Sequence, residues 1–215
     1  AVKEGRRIFD NIRNALVYLL TGNLAEIIIV FFGLLFGIEI FLPIQILYIN
    51  LITDSIPAIA LAFEKESEDV LDRKIRKKNS KFFTPFLLSK LFLSSALIGF
   101  AVLFIYNLVN SLYGFEIARS VCFLSLISFE MIYSYSCRNL KKNVISKELF
   151  GNKILNTSMF LLIIIQLLVF LTPLKDIFKI SNISLITMVY SISIIVLVFI
   201  FNELSKIILV RLFKD

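Results

Sequence analysis

Six apolar stretches dominate this chain and constrain what it can fold into. Each is about 20 residues long, the length of helix that crosses a hydrocarbon core of about 30 Å. Lipid offers no water to backbone polar groups, so such stretches form helices, and they lack the alternation that a barrel strand needs. The predicted spans are Leu16–Gly37, Ile40–Phe63, Phe83–Val109, Ala118–Cys137, Ile154–Thr172 and Leu185–Leu204.

The composition agrees with an all-α, polytopic bundle of six transmembrane helices. Hydrophobic residues make up 58% of the chain and charged residues 18%, against about 25% charged residues in soluble domains. The chain has no His and only two Cys. That excludes a Ser-His-Asp triad, a Cys-His nucleophile and a His-ligated metal. Cys122 and Cys137 lie about 22 Å apart on one predicted helix, so they cannot form a disulfide.

The positive charges predict the topology. Nineteen of the 23 Lys and Arg residues lie in the N-terminal segment, the gaps after the second and fourth spans, and the C-terminal tail. The positive-inside rule therefore places both termini in the cytoplasm. This distribution explains the net charge of +7 without a nucleic-acid partner, and it makes the lipid bilayer the expected partner.

Three regions follow from this topology. Residues 1–15 are predicted to be a cytoplasmic stalk that extends the first helix, residues 16–204 a six-helix transmembrane cation-transport domain, and residues 205–215 a cytoplasmic tail. Lys90, inside the third span, is expected to snorkel toward the cytoplasm. The charged segment Glu64–Lys81 is interpreted as a solvated loop in contact with lipid headgroups. Ala1 falls within a predicted helix, which favours a fragment of a longer protein.

Three carboxylates lie inside the predicted spans: Glu26 in the first, Asp54 in the second and Glu130 in the fourth. An ionisable group in a bilayer costs at least a few kcal/mol, so each is a candidate functional residue. The alternative is that they pack as polar residues bonded between helices. Three unpaired buried acids would be very costly, so the set favours an ion site.

Neutral oxygen donors accompany these acids. Asn23 lies three residues before Glu26, and Asn50 lies four residues before Asp54 with Thr53 beside it, so each group shares a helix face. Carboxylate, amide and hydroxyl oxygens are the ligands of a hard cation, and Ca²⁺ takes six to eight of them. The six residues are therefore predicted to be cation ligands.

Two further features of the spans are informative. Pro57 follows Asp54 by three residues and removes a backbone hydrogen bond. Unwinding near Asn50–Asp54 is expected, because interrupted helices expose carbonyls to ions in transporters. Gln166 is expected to bond to a neighbouring helix.

Several motifs now resemble a known family. Pro43–Glu64 (PIQILYINLITDSIPAIALAFE) closely resembles the sixth membrane helix of the P-type cation-transporting ATPases, in the calcium-pump-like branch. Glu4–Arg13 (EGRRIFDNIR) resembles the stalk of the fifth helix, and Asn23–Glu26 (NLAE) its membrane motif. Phe115–Arg119 and Glu130–Arg138 resemble the entry and exit of the eighth helix. The order of these motifs matches the family across nearly the whole chain.

The resemblance implies the same ligands on three helices. Asn23 and Glu26 match ligands of the fifth helix, and a second group matches the sixth helix, namely Asn50, Thr53 and Asp54. Glu130 matches a carboxylate on the eighth helix of sarcoplasmic-reticulum-type pumps, which favours a second calcium site. Ala25 and Ser55 stand where glycines are usual, which leaves Mn²⁺, Na⁺ and H⁺ open beside Ca²⁺ as the transported ion.

The chain has no Asp-Lys-Thr-Gly-Thr motif for phosphorylation and no glycine-rich phosphate loop. The resemblance therefore implies the C-terminal half of a transport domain in a multi-pass protein, expected in a bacterial plasma membrane. ATP and Mg²⁺ would bind only in domains outside the chain. Its expected partners are the first four helices and the actuator, phosphorylation and nucleotide domains of the pump. For the segment Glu64–Lys81 the resemblance implies, instead of a solvated loop, a loop that braces the stalk.

Two other hypotheses compete with the pump domain. One is a stand-alone truncated membrane protein with an ion-binding, assembly or regulatory role and no turnover. The other is an unrelated channel or ion-coupled transporter, which predicts an inverted internal repeat that the sequence does not contain.

Overall fold

The computed structural model describes residues 2–64, 82–141 and 150–213. These residues form helices and no strands, as expected for an all-α bundle. The helices are α1 Val2–Leu35, α2 Pro43–Tyr48, α3 Ser55–Ala62, α4 Pro85–Tyr113, α5 Phe115–Cys137, α6 Lys153–Leu171, α7 Leu174–Ile177 and α8 Leu185–Phe213, with a π-helical turn, Ile49–Thr53, joining α2 to α3.

Helix α1 is continuous for 34 residues. At about 1.5 Å per residue it is roughly 51 Å long, against a hydrocarbon core of about 30 Å. The predicted stalk thus continues without a break into the first span. Similarly, α8 runs on to Phe213, beyond the predicted end of the last span. The division into stalk, transport domain and tail stays a prediction, because a helix end does not mark the membrane surface.

Five helical segments of the described chain are long and apolar enough to cross a membrane. They are α1, the segment Pro43–Ala62, α4, α6 and α8. Helix α5 coincides with the fourth predicted span but is not among the five. It carries Glu116, Arg119, Glu130 and five serines, and more than half of its residues are buried. Its crossing of the membrane stays a prediction.

The core forms where α4 packs between α1, α5 and α8. Close approach of α4 to α1 depends on Gly99, because a Cβ there would lie 2.8 Å from Cγ2 of Ile28. The outer faces expose large apolar side chains such as Ile27, Phe92 and Leu197, as expected for surfaces that face lipid.

The structure corrects the expectation for Lys90. This side chain is 0% exposed, and its Nζ lies 5.8 Å from the centroid of the Tyr133 ring. No described residue accepts a hydrogen bond from it. Lys90 therefore does not snorkel, because α4 directs it into the bundle rather than along its surface.

Gln166 and the two cysteines behave as expected. Tyr48 donates a hydrogen bond of 2.9 Å to Oε1 of Gln166, which confirms an interhelical contact. Cys122 and Cys137 are both free thiols, as their separation required.

We expect Gly99→Leu to destabilise the bundle by about 1–3 kcal/mol, because the larger side chain overpacks the α1–α4 contact. Gly5→Leu is the matched control, since nothing lies within 4 Å of a Cβ at that position. Thermal unfolding in detergent, followed by circular dichroism, measures the effect. Equal stability of the two variants would contradict this account of the packing.

Candidate cation site

One face of α1 lines the site. Tyr18, Gly22 and Glu26 are spaced by four residues and so lie one above another on that face. Both Tyr18 and Glu26 are buried, and the face points toward α3 and α5. Helix α1 therefore contributes a hydroxyl, a carboxylate and, between them, a position without a side chain.

The turn that carries Asn50, Thr53 and Asp54 is widened rather than unwound. The N–H of Asp54 donates to the carbonyl of Ile49, five residues back, at 2.9 Å, which is the hydrogen bond of a π-helix. The predicted unwinding is therefore wrong. The chain stays helical because one extra residue in the turn accommodates the disruption without breaking the helix.

Hydroxyl groups satisfy the carbonyls of this turn. Thr53 donates to the Ile49 carbonyl at 2.8 Å, and Ser55 donates to the Asn50 carbonyl at 3.1 Å. The Thr53 carbonyl has no α-helical N–H donor, because Pro57 lacks one. Ser55 thus stabilises the turn that carries the predicted ligands.

Hydrogen bonds connect the turn to α1. The Asn50 amide donates to Oε2 of Glu26 at 2.8 Å. The Tyr18 hydroxyl lies 3.2 Å from Oδ1 of Asp54 and 3.4 Å from the Thr53 carbonyl. Two of the three predicted acids are therefore tied across the α1–α3 interface.

The third acid reaches the same region from α5. A Cβ built on Gly22 would lie 3.2 Å from Oε1 of Glu130 and 3.3 Å from Oδ2 of Asp54. The two carboxylates thus face a common space against the backbone of α1. A Cβ at this position would require the carboxylates to shift by a few tenths of an ångström.

Four carboxylate oxygens at this site are buried without a hydrogen-bond partner in the part of the chain that the structure describes. They are Oε1 of Glu26, Oδ2 of Asp54 and both oxygens of Glu130. Burying unpartnered acid oxygens is costly. These four oxygens therefore require a neutralising group, either a cation or protons.

The six predicted residues do not all converge. Asn23 is half-buried and makes no hydrogen bond to the other five within the described ranges. In those ranges no three Asp, Glu, Cys or His side chains form a group tight enough to hold a metal by themselves. A cation here would need the amide and hydroxyl oxygens as well as the acids.

Two residues of the site were missed by the sequence analysis. Tyr18 contacts Asp54 directly, and Gly22 makes room for two carboxylates. The four-residue spacing from Tyr18 through Gly22 to Glu26 could have revealed both, since it places them on the ligand face of α1.

The chain is similar to known proteins over most of its length. Residues 38–208 match the family model described as "Cation transporting ATPase, C-terminus". The chain is 34% identical over 182 residues to a calcium-transporting ATPase of Bacillus subtilis, which covers 83% of the chain. It is 32% identical over 181 residues to calcium-transporting ATPase 1 of Lactococcus lactis, and 31% identical over 189 residues to calcium-transporting ATPase 1 of Yarrowia lipolytica.

The helices and the buried oxygen site define a multi-pass integral membrane domain of the ion-transport class. The chain spans 20% of the length of each of these relatives. It belongs to the cation-transporting P-type ATPase family and corresponds to the C-terminal membrane region of its members. This confirms the resemblance inferred from the motifs.

We expect Gly22→Ala to weaken cation binding about tenfold, or ~1.4 kcal/mol. The added methyl group would displace the carboxylates of Asp54 and Glu130 by a few tenths of an ångström. Radiolabelled Ca²⁺ binding to the chain in lipid nanodiscs gives the affinity.

The thermal stability of the same variant distinguishes a local effect on the cation site from a general destabilisation of the helical bundle. Alanine is favoured over glycine inside a helix by about 1 kcal/mol, so the variant should unfold at no lower temperature than the parent. Unchanged Ca²⁺ affinity in a stable variant would show that Gly22 does not border the cation site.

Proposed function

We propose that the chain is the membrane transport domain of an ATP-driven calcium pump. The observation that carries this proposal is the set of carboxylate oxygens on Glu26, Asp54 and Glu130 that have no hydrogen-bond partner among the described residues. Glu26 lies on α1, Asp54 immediately precedes α3, and Glu130 lies on α5. Three separate helical segments supply them, so their relative movement can change the affinity of the site. That property is what a pump needs.

Calcium is the favoured cargo for two reasons. The available ligands are all oxygens, and Ca²⁺ accepts six to eight of them in flexible geometry. A softer transition metal would prefer Cys or His ligands, and none lies at this site. The relatives described above carry the name of calcium-transporting ATPases, which supports the same ion.

Six residues are proposed as ligands, although they do not contribute equally. Glu26, Asp54 and Glu130 supply charge, whereas Asn50 and Thr53 supply neutral oxygens from the π-helical turn. Asn23 completes the set only if it turns toward the others when the cation binds. Glu130 adds a third charge, which favours two calcium ions over one.

The transport cycle follows from the free-energy cost of leaving the buried carboxylates ionised without a counter-ion. With the site open to the cytoplasm, the carboxylates bind cation. Phosphorylation in a separate domain displaces the stalk part of α1, and the helices shift so that affinity drops and the ion leaves on the far side. The emptied carboxylates then take up protons, because ionised acids are disfavoured in low dielectric. Proton counter-transport results.

The cellular setting forms part of the same proposal. Both termini lie in the cytoplasm, the membrane is a bacterial plasma membrane, and four further helices with the actuator, phosphorylation and nucleotide domains complete the pump. ATP and Mg²⁺ act in those domains. A stand-alone ion-binding protein without turnover is the second candidate, and the DNA sequence preceding the codon for Ala1 discriminates between the two.

Neutralising single acids tests the ligand assignment. We expect Glu26→Gln, Asp54→Asn and Glu130→Gln each to lower Ca²⁺ affinity by about tenfold or more, since each removes one charge from the site. Radiolabelled Ca²⁺ binding to the chain in lipid nanodiscs is the measurement. Glu39→Gln is the matched control, because Glu39 is exposed in the connection between α1 and α2.

Two outcomes are informative. If the control binds normally and the three variants do not, the assignment is supported. If all four variants bind Ca²⁺ as the parent does, the cation site lies elsewhere.

A pump that contains the chain allows a sharper test. There, Glu26→Gln and Asp54→Asn should abolish Ca²⁺-dependent phosphorylation by ATP, because an incomplete site cannot trigger the phosphorylation step. Phosphoenzyme formation with unchanged Ca²⁺ dependence in both variants is incompatible with the assignment.

A further inference from the structure

Four helices meet through one buried polar cluster away from the cation site. We call it the Glu64 cluster. Its members are polar side chains at the ends of α3, α5 and α6 and within α1, namely Asn11, Asn14, Glu64, Arg138 and Asn152.

Glu64 is the acceptor at its centre. Arg138 donates from Nε to Oε2 at 2.7 Å and from a terminal nitrogen to Oε1 at 2.9 Å, which is the two-point pairing that fixes both partners in one plane. Asn152 donates to Oε2 at 2.9 Å. Glu64 is only 8% exposed, so this is not a solvated surface pair, contrary to the expectation for the start of the charged loop. The remainder of that loop, residues 65–81, lies outside the described residues.

Helix α1 holds the ends of two other helices at this cluster. The Asn11 amide lies 3.0 Å from the Ala62 carbonyl and 2.9 Å from the Glu64 carbonyl, both at the end of α3. One turn later, the Asn14 amide donates to the Arg138 carbonyl at 3.0 Å, at the end of α5. Two asparagines thus bind carbonyls that the helix ends leave without an intrahelical donor.

These helix ends are rigidly connected to the site. Glu64 follows Asp54 by ten residues, and Arg138 follows Glu130 by eight, or about 12–15 Å of helix. Asn14 precedes Gly22 on the same continuous α1. The pairing of Glu64 with Arg138 therefore sets how far α3 and α5 slide along each other, and hence how Asp54 and Glu130 meet at Gly22.

We propose that Glu64 and Arg138 are positioning residues for the cation site and that the Glu64 cluster couples α1 to both neighbouring acid-bearing segments. This inference rests on the proposed function. Neither residue touches the cation. Their pairing holds the ligands in the binding arrangement, and a displacement of α1 reaches Asp54 and Glu130 together through Asn11 and Asn14.

The test uses the chain in lipid nanodiscs and Ca²⁺ as the probe. Glu64→Gln and Arg138→Lys should each lower Ca²⁺ affinity fivefold or more, within the usual range of coupling between separate sites, while the number of ions bound at saturation stays unchanged. The double variant should lose little more than either single variant, because both remove the same pairing.

Glu203→Gln is the matched control. Glu203 is also buried; it pairs with Lys206, on its own helix α8, at 2.9 Å and accepts a hydrogen bond from Ser136 of α5. We expect this variant to lose thermal stability and keep its Ca²⁺ affinity. Arg138→Lys retains the charge and serves as the milder change if Glu64→Gln does not fold.

The outcomes separate this inference from the proposed function. Normal Ca²⁺ affinity in Glu64→Gln and Arg138→Lys, with Glu26→Gln defective, overturns the positioning role and leaves the site intact. An equal loss of Ca²⁺ affinity in Glu203→Gln also overturns it, because the effect would then not be specific to the pairing of Glu64 with Arg138. If Glu26→Gln, Asp54→Asn and Glu130→Gln all bind Ca²⁺ as the parent does, the ligand set of the proposed function is itself refuted.

Discussion

A carboxylate that is buried away from water must be neutralised, and this constraint governs the centre of the molecule. Three acids meet there with oxygens that no described donor satisfies. Hydrocarbon cannot solvate them, and packing alone cannot offset the cost. A cation or protons must therefore complete the site, and alternation between the two is the basis of the proposed transport cycle.

The backbone is adapted to bring these acids together. Gly22 lets Asp54 and Glu130 approach α1 closely, and the π-helical turn shifts the proposed ligands of the second span by one residue without breaking the helix. The hydroxyls of Thr53 and Ser55 satisfy the carbonyls of that turn. The Glu64 cluster then ties the ends of the same helices to α1, so that site and stalk form one connected unit.

Long apolar runs were sufficient to predict most of the helices. The beginning and end of α6 agree with the prediction to within one residue, because a membrane span is encoded by length and composition. The acids of the site were also predictable, since any ionisable residue inside a span stands out. Contacts that depend on how neighbouring helices pack could not be predicted from the sequence. Asn14 and Arg138, 124 residues apart in sequence, meet only after folding.

The two main errors have similar causes. Hydropathy does not distinguish an α-helical turn from a π-helical one, so the disruption beside Pro57 was expected to be an unwound segment. Lys90 was expected at the membrane surface because of its place in the span, but side-chain direction depends on which face α4 turns to the bundle. Asn23 remains a predicted ligand that the structure does not connect to the others.

The most direct measurement is a density map of the protein bound to Ca²⁺ in a lipid membrane. The account predicts ion density between α1, α3 and α5, about 2.3–2.6 Å from carboxylate oxygens of Glu26, Asp54 and Glu130. Ion density elsewhere, with these three acids bonded only to other protein groups, would contradict it.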